Sequence, residues 1–428
     1  MSRIGRRSWL TAVAFALALS ATGCASGAGE ATGAGYGTPS ANSSADATSA
    51  PTPEALSPQG TGAPFEDLRT AASHMPMTAG ALAAGIAEGA MINGDSASVA
   101  ADLRSTLTAR LTEHVYLSGI AVATAYETAP NSPQFQVAAA ALDQNSVAVA
   151  DAVGSIVPDQ RDSFLDAWRA HIGDFVSYAV AAKAGNDEAK AKEVADLAAF
   201  TQSQGAFFEQ IAGGVLPSEA VTASLNEHVA TLAAAVDALA AGDDAAFDRL
   251  KTAGDHMAMS AEALAGGIVT ATDTEGDPAD DASALPARLT SQLVSHVYLA
   301  GVSVFVAYTS GADSAEFKAA AAALDENSAD IAAGVGAVAP DQEMTFLEQW
   351  RSHISDFVDY VLAAAGGDEA GQRQQLDDLN AYRVSAGQFF SDLTGGALPA
   401  ADVTEVLGHH AETLAGAIDS FSAALVDR

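Results

Sequence analysis

The chain has 428 residues, 49% of them hydrophobic and 6% aromatic, and a formal net charge of −35. So acidic a chain excludes nucleic acid and anionic lipid headgroups as electrostatic partners; it attracts cations, and it also serves as an ordinary solubility device. Cys24 is the only cysteine, which excludes a disulfide framework, a thiolate metal site and a cysteine nucleophile from the folded part.

The N-terminus reads as an export signal, residues 1–23. Arg3, Arg6 and Arg7 precede an apolar stretch, Leu10 to Leu19, that is too short to span a bilayer. Ala21-Thr22-Gly23-Cys24 resembles the lipobox of bacterial lipoproteins, with alanine where leucine is usual. That resemblance implies lipid attachment at Cys24 and a protein anchored on the extracytoplasmic face of the cell membrane. Arg6-Arg7-Ser8-Trp9-Leu10 also looks like a twin-arginine signal, so both export routes stay open. Residues 24–63 are rich in Gly, Ala, Ser, Thr and Pro and cannot bury enough surface to offset ordering. They are expected to form a disordered tether reaching on the order of 35 Å.

Beyond the tether the chain is an internal repeat with a constant offset of 182 residues. His74, His114, His171 and His228 fall on His256, His296, His353 and His410, and Trp168, Asp174 and Pro217 fall on Trp350, Asp356 and Pro399. Of nine histidines only His409 lacks a counterpart. Abundant alanine and leucine, with Gly/Pro/Asp clusters as breaks, predict an all-α fold: a tandem duplication of an antiparallel helical-bundle module with inward-facing histidines. Six helices are expected per copy, in the first at 65–91, 98–127, 133–155, 159–185, 187–212 and 218–240.

The histidines lie in the apolar stripes of these helices. Leu103, Leu107, Leu111, His114 and Ser118 form one stripe, Phe164, Trp168, His171, Phe175 and Tyr178 a second, and Val221, Leu225, His228, Leu232 and Val236 a third. Each recurs around His296, His353 and His410. In His74-Met75-Pro76-Met77, repeated as His256-Met257-Ala258-Met259, the three-residue spacing puts His74 with Met77 on one helical face, and Pro76 is expected to kink the first copy.

Glu113-His114-Val115, Trp168-Arg169-Ala170-His171-Ile172, Glu227-His228-Val229 and His256-Met257-Ala258-Met259 together resemble a loosely defined family of small helical proteins from Gram-positive, often spore-forming bacteria. The resemblance covers most of each repeat and implies a bundle with inward histidines, without a reaction. It also bears on the partition. The contiguous division is 64–245 and 246–428; in the family the His/Met helix closes the domain, which would give 98–270, and 283–428 completed by helix 65–91. Equal linker lengths leave both open.

Four buried imidazoles per module need either a hydrogen-bond network or a metal. Imidazole with thioether sulfur points to copper, with zinc on the histidines alone as the alternative. The expected ligands are His74, Met75, Met77, His114, His171, His228, His256, Met257, Met259, His296, His353 and His410, with Asp174 and Asp356 orienting imidazoles from behind. A di-iron carboxylate site fails because the residues three before His114, His171, His228 and His256 are Leu111, Trp168, Leu225 and Ala253. Metalloprotease, nucleophile-elbow, P-loop and dinucleotide motifs are absent, as is a haem-attachment motif, and catalysis is not indicated. The expectation is an extracytoplasmic lipoprotein that binds a transition metal for buffering, storage or delivery. The rival reading is a structural or protein-interaction module with a buried, pH-sensitive histidine network, its protein partner unidentified.

Overall fold

In a computed structural model, residues 54–425 are described, and they are all-α with no strand among them. The helices are α1 (Pro64–Ser73), α2 (Met75–Gly89), α3 (Val99–Thr128), α4 (Pro133–Ile156), α5 (Arg161–Lys183), α6 (Asp187–Ile211), α7 (Ser218–Ala241) and α8 (Ala246–Thr272). They continue as α9 (Asp281–Thr309), α10 (Ala315–Val338), α11 (Glu343–Gly366), α12 (Glu369–Leu393) and α13 (Ala400–Leu425). The ends follow local chemistry. Ser98, Ser132, Asp280 and Ser314 each accept a backbone N–H at a helix start, and Pro133 occupies a first-turn position where no N–H is needed. The export signal and Cys24 lie outside the described residues.

α3 and α9 are buried nearly all round and form the centre of the body. α9 is long and apolar enough to cross a membrane, but 83% of its apolar window is buried within the protein, as suits a core helix. Where α3 and α9 cross, Tyr116 and Tyr298 stack at 5.7 Å with ring planes 5° apart. Glu113 is buried beside them and accepts from Tyr298 Oη at 3.0 Å, from Asn145 Nδ2 at 2.8 Å and from Arg69 Nε at 2.8 Å.

The first helices do not close the half of the chain that follows them directly. α1 packs on α13 and α9, and α2 lies along α9, whereas α8, their counterpart by sequence offset, packs on α3 and α7. Glycines on the central helices allow both approaches: a Cβ at Gly301 would meet the side chain of Leu68 at 2.5 Å, and one at Gly119 that of Leu250 at 2.7 Å. The connecting loops are reciprocal as well, with Ala100 N–H donating to Glu275 O at 3.0 Å and Ala282 N–H to Asn93 O at 3.1 Å.

Two details differ from expectation or sharpen it. The helix expected at 65–91 is broken at His74, between α1 and α2, because Pro76 removes a donor and must sit in a first turn; α8 runs unbroken through Ala258. The tether, expected to run to residue 63, ends earlier, because its last residues are strapped to α13. Ser57 N–H and Gln59 Nε2 donate to the Glu412 carboxylate at 3.0 and 2.8 Å, and Gln59 N–H to Glu412 O at 2.9 Å. Gly60 faces Gly416 with no room for a Cβ on either, and Leu56 is buried. Leu56 and Gly60 are the residues in that stretch that could have signalled it.

Candidate metal centre

Three helices deliver one imidazole each to the middle of the first bundle: His114 from α3, His171 from α5 and His228 from α7. The stripes explain why. Leu103, Leu107, Leu111, Phe164, Trp168, Leu225 and Leu232 all bury the faces on which these histidines stand. The ring of His114 lies 5.3 Å from that of His171 and 5.7 Å from that of His228. One ring nitrogen from each lies within 4.8 Å of the other two. α9, α11 and α13 repeat the arrangement with His296, His353 and His410, at 5.4 and 5.8 Å from the His296 ring and with nitrogens again within 4.8 Å.

The rings are enclosed by aromatic surface. Trp168 lies 4.9 Å from His114 and 4.6 Å from His171, and Phe200 of α6 stacks on His171 at 4.4 Å. In the second half Trp350 holds the same place, and Tyr382 stacks on His353 at 4.6 Å. The sequence stripes did not single out Phe200 or Tyr382, since neither lies on a histidine-bearing helix.

All six ring nitrogens of His114, His171 and His228 are buried without a hydrogen bond, as are both of His296 and the Nδ1 atoms of His353 and His410. Burial holds every one of these imidazoles neutral. His171 and His296 are pushed down to about 3 and His228 and His410 to about 4, while His114 and His353 lie well below the ordinary value. The backbone of Trp168 and of Trp350 acts on His171 and His353 in the opposite sense, and burial outweighs it. The charges acting on the first three rings come from one another and, for His228, from His256; no carboxylate contributes.

His74, His256, Met77, Met259, Asp174 and Asp356 stand apart from these triads. His256 stands close to His228, but its Nε2 contacts Ser224 O at 2.9 Å. His74 belongs to the second half, where its Nε2 lies 3.0 Å from Nε2 of His409. Met77 and Met259 are 68% and 62% exposed, so the structure does not bring their sulfurs to the imidazoles. The reason is that His74 and His256 sit at the edge of the buried face, so the residue three further on turns out to solvent while Met75 and Met257, one further on, turn in. Met75 lines a cavity of about 70 Å³ together with His296 and His410. Asp174 does not orient His171, whose nitrogens are both without partners; its carboxylate stands with Glu193 and Asp196 at the rim of α5 and α6. Asp356 likewise makes no bond to His353 Nδ1 and responds to Asp378 and Asp359 after burial, which raises it to about 6.

The donor set fits a transition ion. Neutral imidazoles need no deprotonation to bind, and a buried polar atom without a partner calls for an ion or water to complete it. At the 4.8 Å limit on nitrogen separation, a central ion would sit about 2.8 Å from each nitrogen, so the rings would have to close by roughly 0.7 Å to reach zinc–imidazole bond lengths. Compared with known protein families, curated proteins and solved structures, the chain has no match.

Proposed function

We propose that the protein binds one transition-metal ion in each half, at His114/His171/His228 and at His296/His353/His410, as a buffer, store or carrier. The observation that carries the reading is the set of six buried ring nitrogens in the first half, none with a hydrogen-bond partner, converging from three helices. Idle polar atoms in a core are costly to leave unmade, and a shared ion takes up the lone pair of one nitrogen on each of the three rings at once.

Copper(I) is the ion this environment favours. Three imidazoles bring no negative charge, and no carboxylate stands among the charges acting on the rings of the first half. The cost of burying an ion in apolar surroundings scales with the square of its charge, so a dication held by these neutral ligands pays about four times the desolvation of a monocation. Imidazole suits copper, and three donors suffice for the monovalent ion. The thioether contribution expected from Met77 and Met259 drops out of this argument, and zinc is the competitor. The lipobox-like segment at Cys24 supports placing the protein on the outer face of the cell membrane, with the metal held about a tether's length from the lipid.

Elemental analysis of the purified full chain, followed by copper(I) and zinc titration, tests the reading. Two tightly held ions per chain are expected, one in a His114→Ala/His171→Ala variant, with copper(I) displacing zinc. If the parent chain holds neither metal better than a control protein with surface histidines, the imidazoles serve instead as a pH-sensitive polar network and the function lies on the acidic surface.

A further inference from the structure

Among the positions at which the two halves differ, two lie beside the second triad and converge on one point. Pro76 breaks the helix at His74, where α8 runs on through Ala258, and His409 stands where the first half has Glu227. These changes bring the rings of His74 and His409 to 4.1 Å, with their Nε2 atoms 3.0 Å apart, in a half-buried position open to solvent. In the first half the equivalent His256 has no second imidazole and is tied instead to Ser224 O. His410, the next residue along α13, turns inward to the second triad, and the charges of His74 and His409 both act on it.

We infer that His74 and His409 form an outer two-imidazole metal site that loads the His296/His353/His410 triad, and that the first half has no such site. This rests on the metal-binding reading of the triads. The nitrogen separation is close to the roughly 3.3 Å between two ligands of a tetrahedral ion. Without metal, one Nε2 donates its hydrogen to the other; binding moves that proton to Nδ1 of the same ring, so each Nε2 offers a lone pair and no proton is released. Two imidazoles hold an ion more weakly than three, so passage inward is downhill. The way inward is furnished as well: the cavity of about 70 Å³ that reaches His410 and His296 is lined by Met75, the residue after His74, whose thioether is a soft donor for copper(I).

The test uses the full chain with Trp9→Phe and Trp168→Phe, which leaves Trp350 as the only tryptophan, 4.6 Å from His353. Copper(I) is delivered from a chromophoric chelator and the quenching of Trp350 is followed in a stopped-flow instrument. His409→Glu, which installs the first half's residue, and His74→Gln are each expected to slow the quenching by at least about tenfold, in line with what loss of a metal-supporting contact costs, and to leave its final extent unchanged. A companion chain with Trp168 in place and Trp9→Phe, Trp350→Phe is expected to load at the same rate with or without His409→Glu. Unchanged Trp350 kinetics in both variants would overturn the loading site while leaving the triads standing. Absence of quenching in the parent chain would remove the triad reading and this inference with it.

Discussion

Acidifying the metal-free protein should destabilise it steeply, and the size of the effect follows from the buried imidazoles. His171 and His296 are held at about 3 and His228 and His410 at about 4, while in the unfolded chain each titrates near 6.5. A histidine depressed on folding contributes its full stability above the unfolded value and loses it as pH falls from about 6.5 toward the folded value, because the unfolded chain takes up protons that the native one refuses. Between pH 7.5 and pH 5 each such histidine therefore costs roughly 2 kcal/mol, and the four together on the order of 8 kcal/mol. That is comparable to the whole stability of many domains. Asp356, raised to about 6 by burial, has the opposite sign and gains on acidification, as do Asp102, Asp174, Asp255, Glu326 and Asp419, which burial also raises; these carboxylates offset part of the loss, and the four enclosed histidines set its direction. Urea denaturation followed by circular dichroism at the two pH values measures the total. A His171→Leu/His228→Leu chain should lose about half of the pH dependence attributed to the four. A stability that is flat or rises on acidification, or a double variant with undiminished pH dependence, would refute the neutral, enclosed state of these rings.

Three further outcomes are expected. Glu113→Ala leaves Arg69, Asn145 Nδ2 and the Tyr298 hydroxyl without their shared partner and should cost about 3–5 kcal/mol in urea denaturation; a loss under about 1 kcal/mol would mean that the network is solvated. Gly301→Val forces Leu68 away from α9 and should cost about 1–3 kcal/mol, with faster hydrogen exchange in α1 than in α8; equal exchange in the two helices would contradict the docking of α1 on the second half. Met77→Leu/Met259→Leu should leave copper affinity within a factor of about two, since both sulfurs are solvent-exposed, and loss of an ion would restore them as ligands.

How much of this was legible in the sequence depends on whether a local period or a distant contact decided it. The stripes through His114, His171 and His228 are set by the 3.6-residue period, and all three side chains are buried where that period puts them. Met77 and Met259 turned out to solvent because a three-residue spacing fixes a shared face without saying how much of it is buried; His74 and His256 stand at its edge. Asp174 failed for a related reason: His171 points to the centre of the bundle, so the position three later reaches the rim of α6 and the carboxylates of Glu193 and Asp196. The stacking partners Phe200 and Tyr382 and the pairing of His74 with His409 are contacts between helices distant in sequence, which a one-chain periodicity cannot assign. The placement of α1 and α2 against α9 and α13 is of the same kind, since the linkers are equally long in either arrangement.

X-ray absorption spectroscopy of the copper(I)-loaded full chain tests the central claim most directly. Three nitrogen scatterers at about 2.0 Å, with the outer-shell pattern of imidazole and no sulfur, are the predicted result. Sulfur in the coordination sphere, or oxygen donors alone, would contradict it and move the metal away from the enclosed histidines.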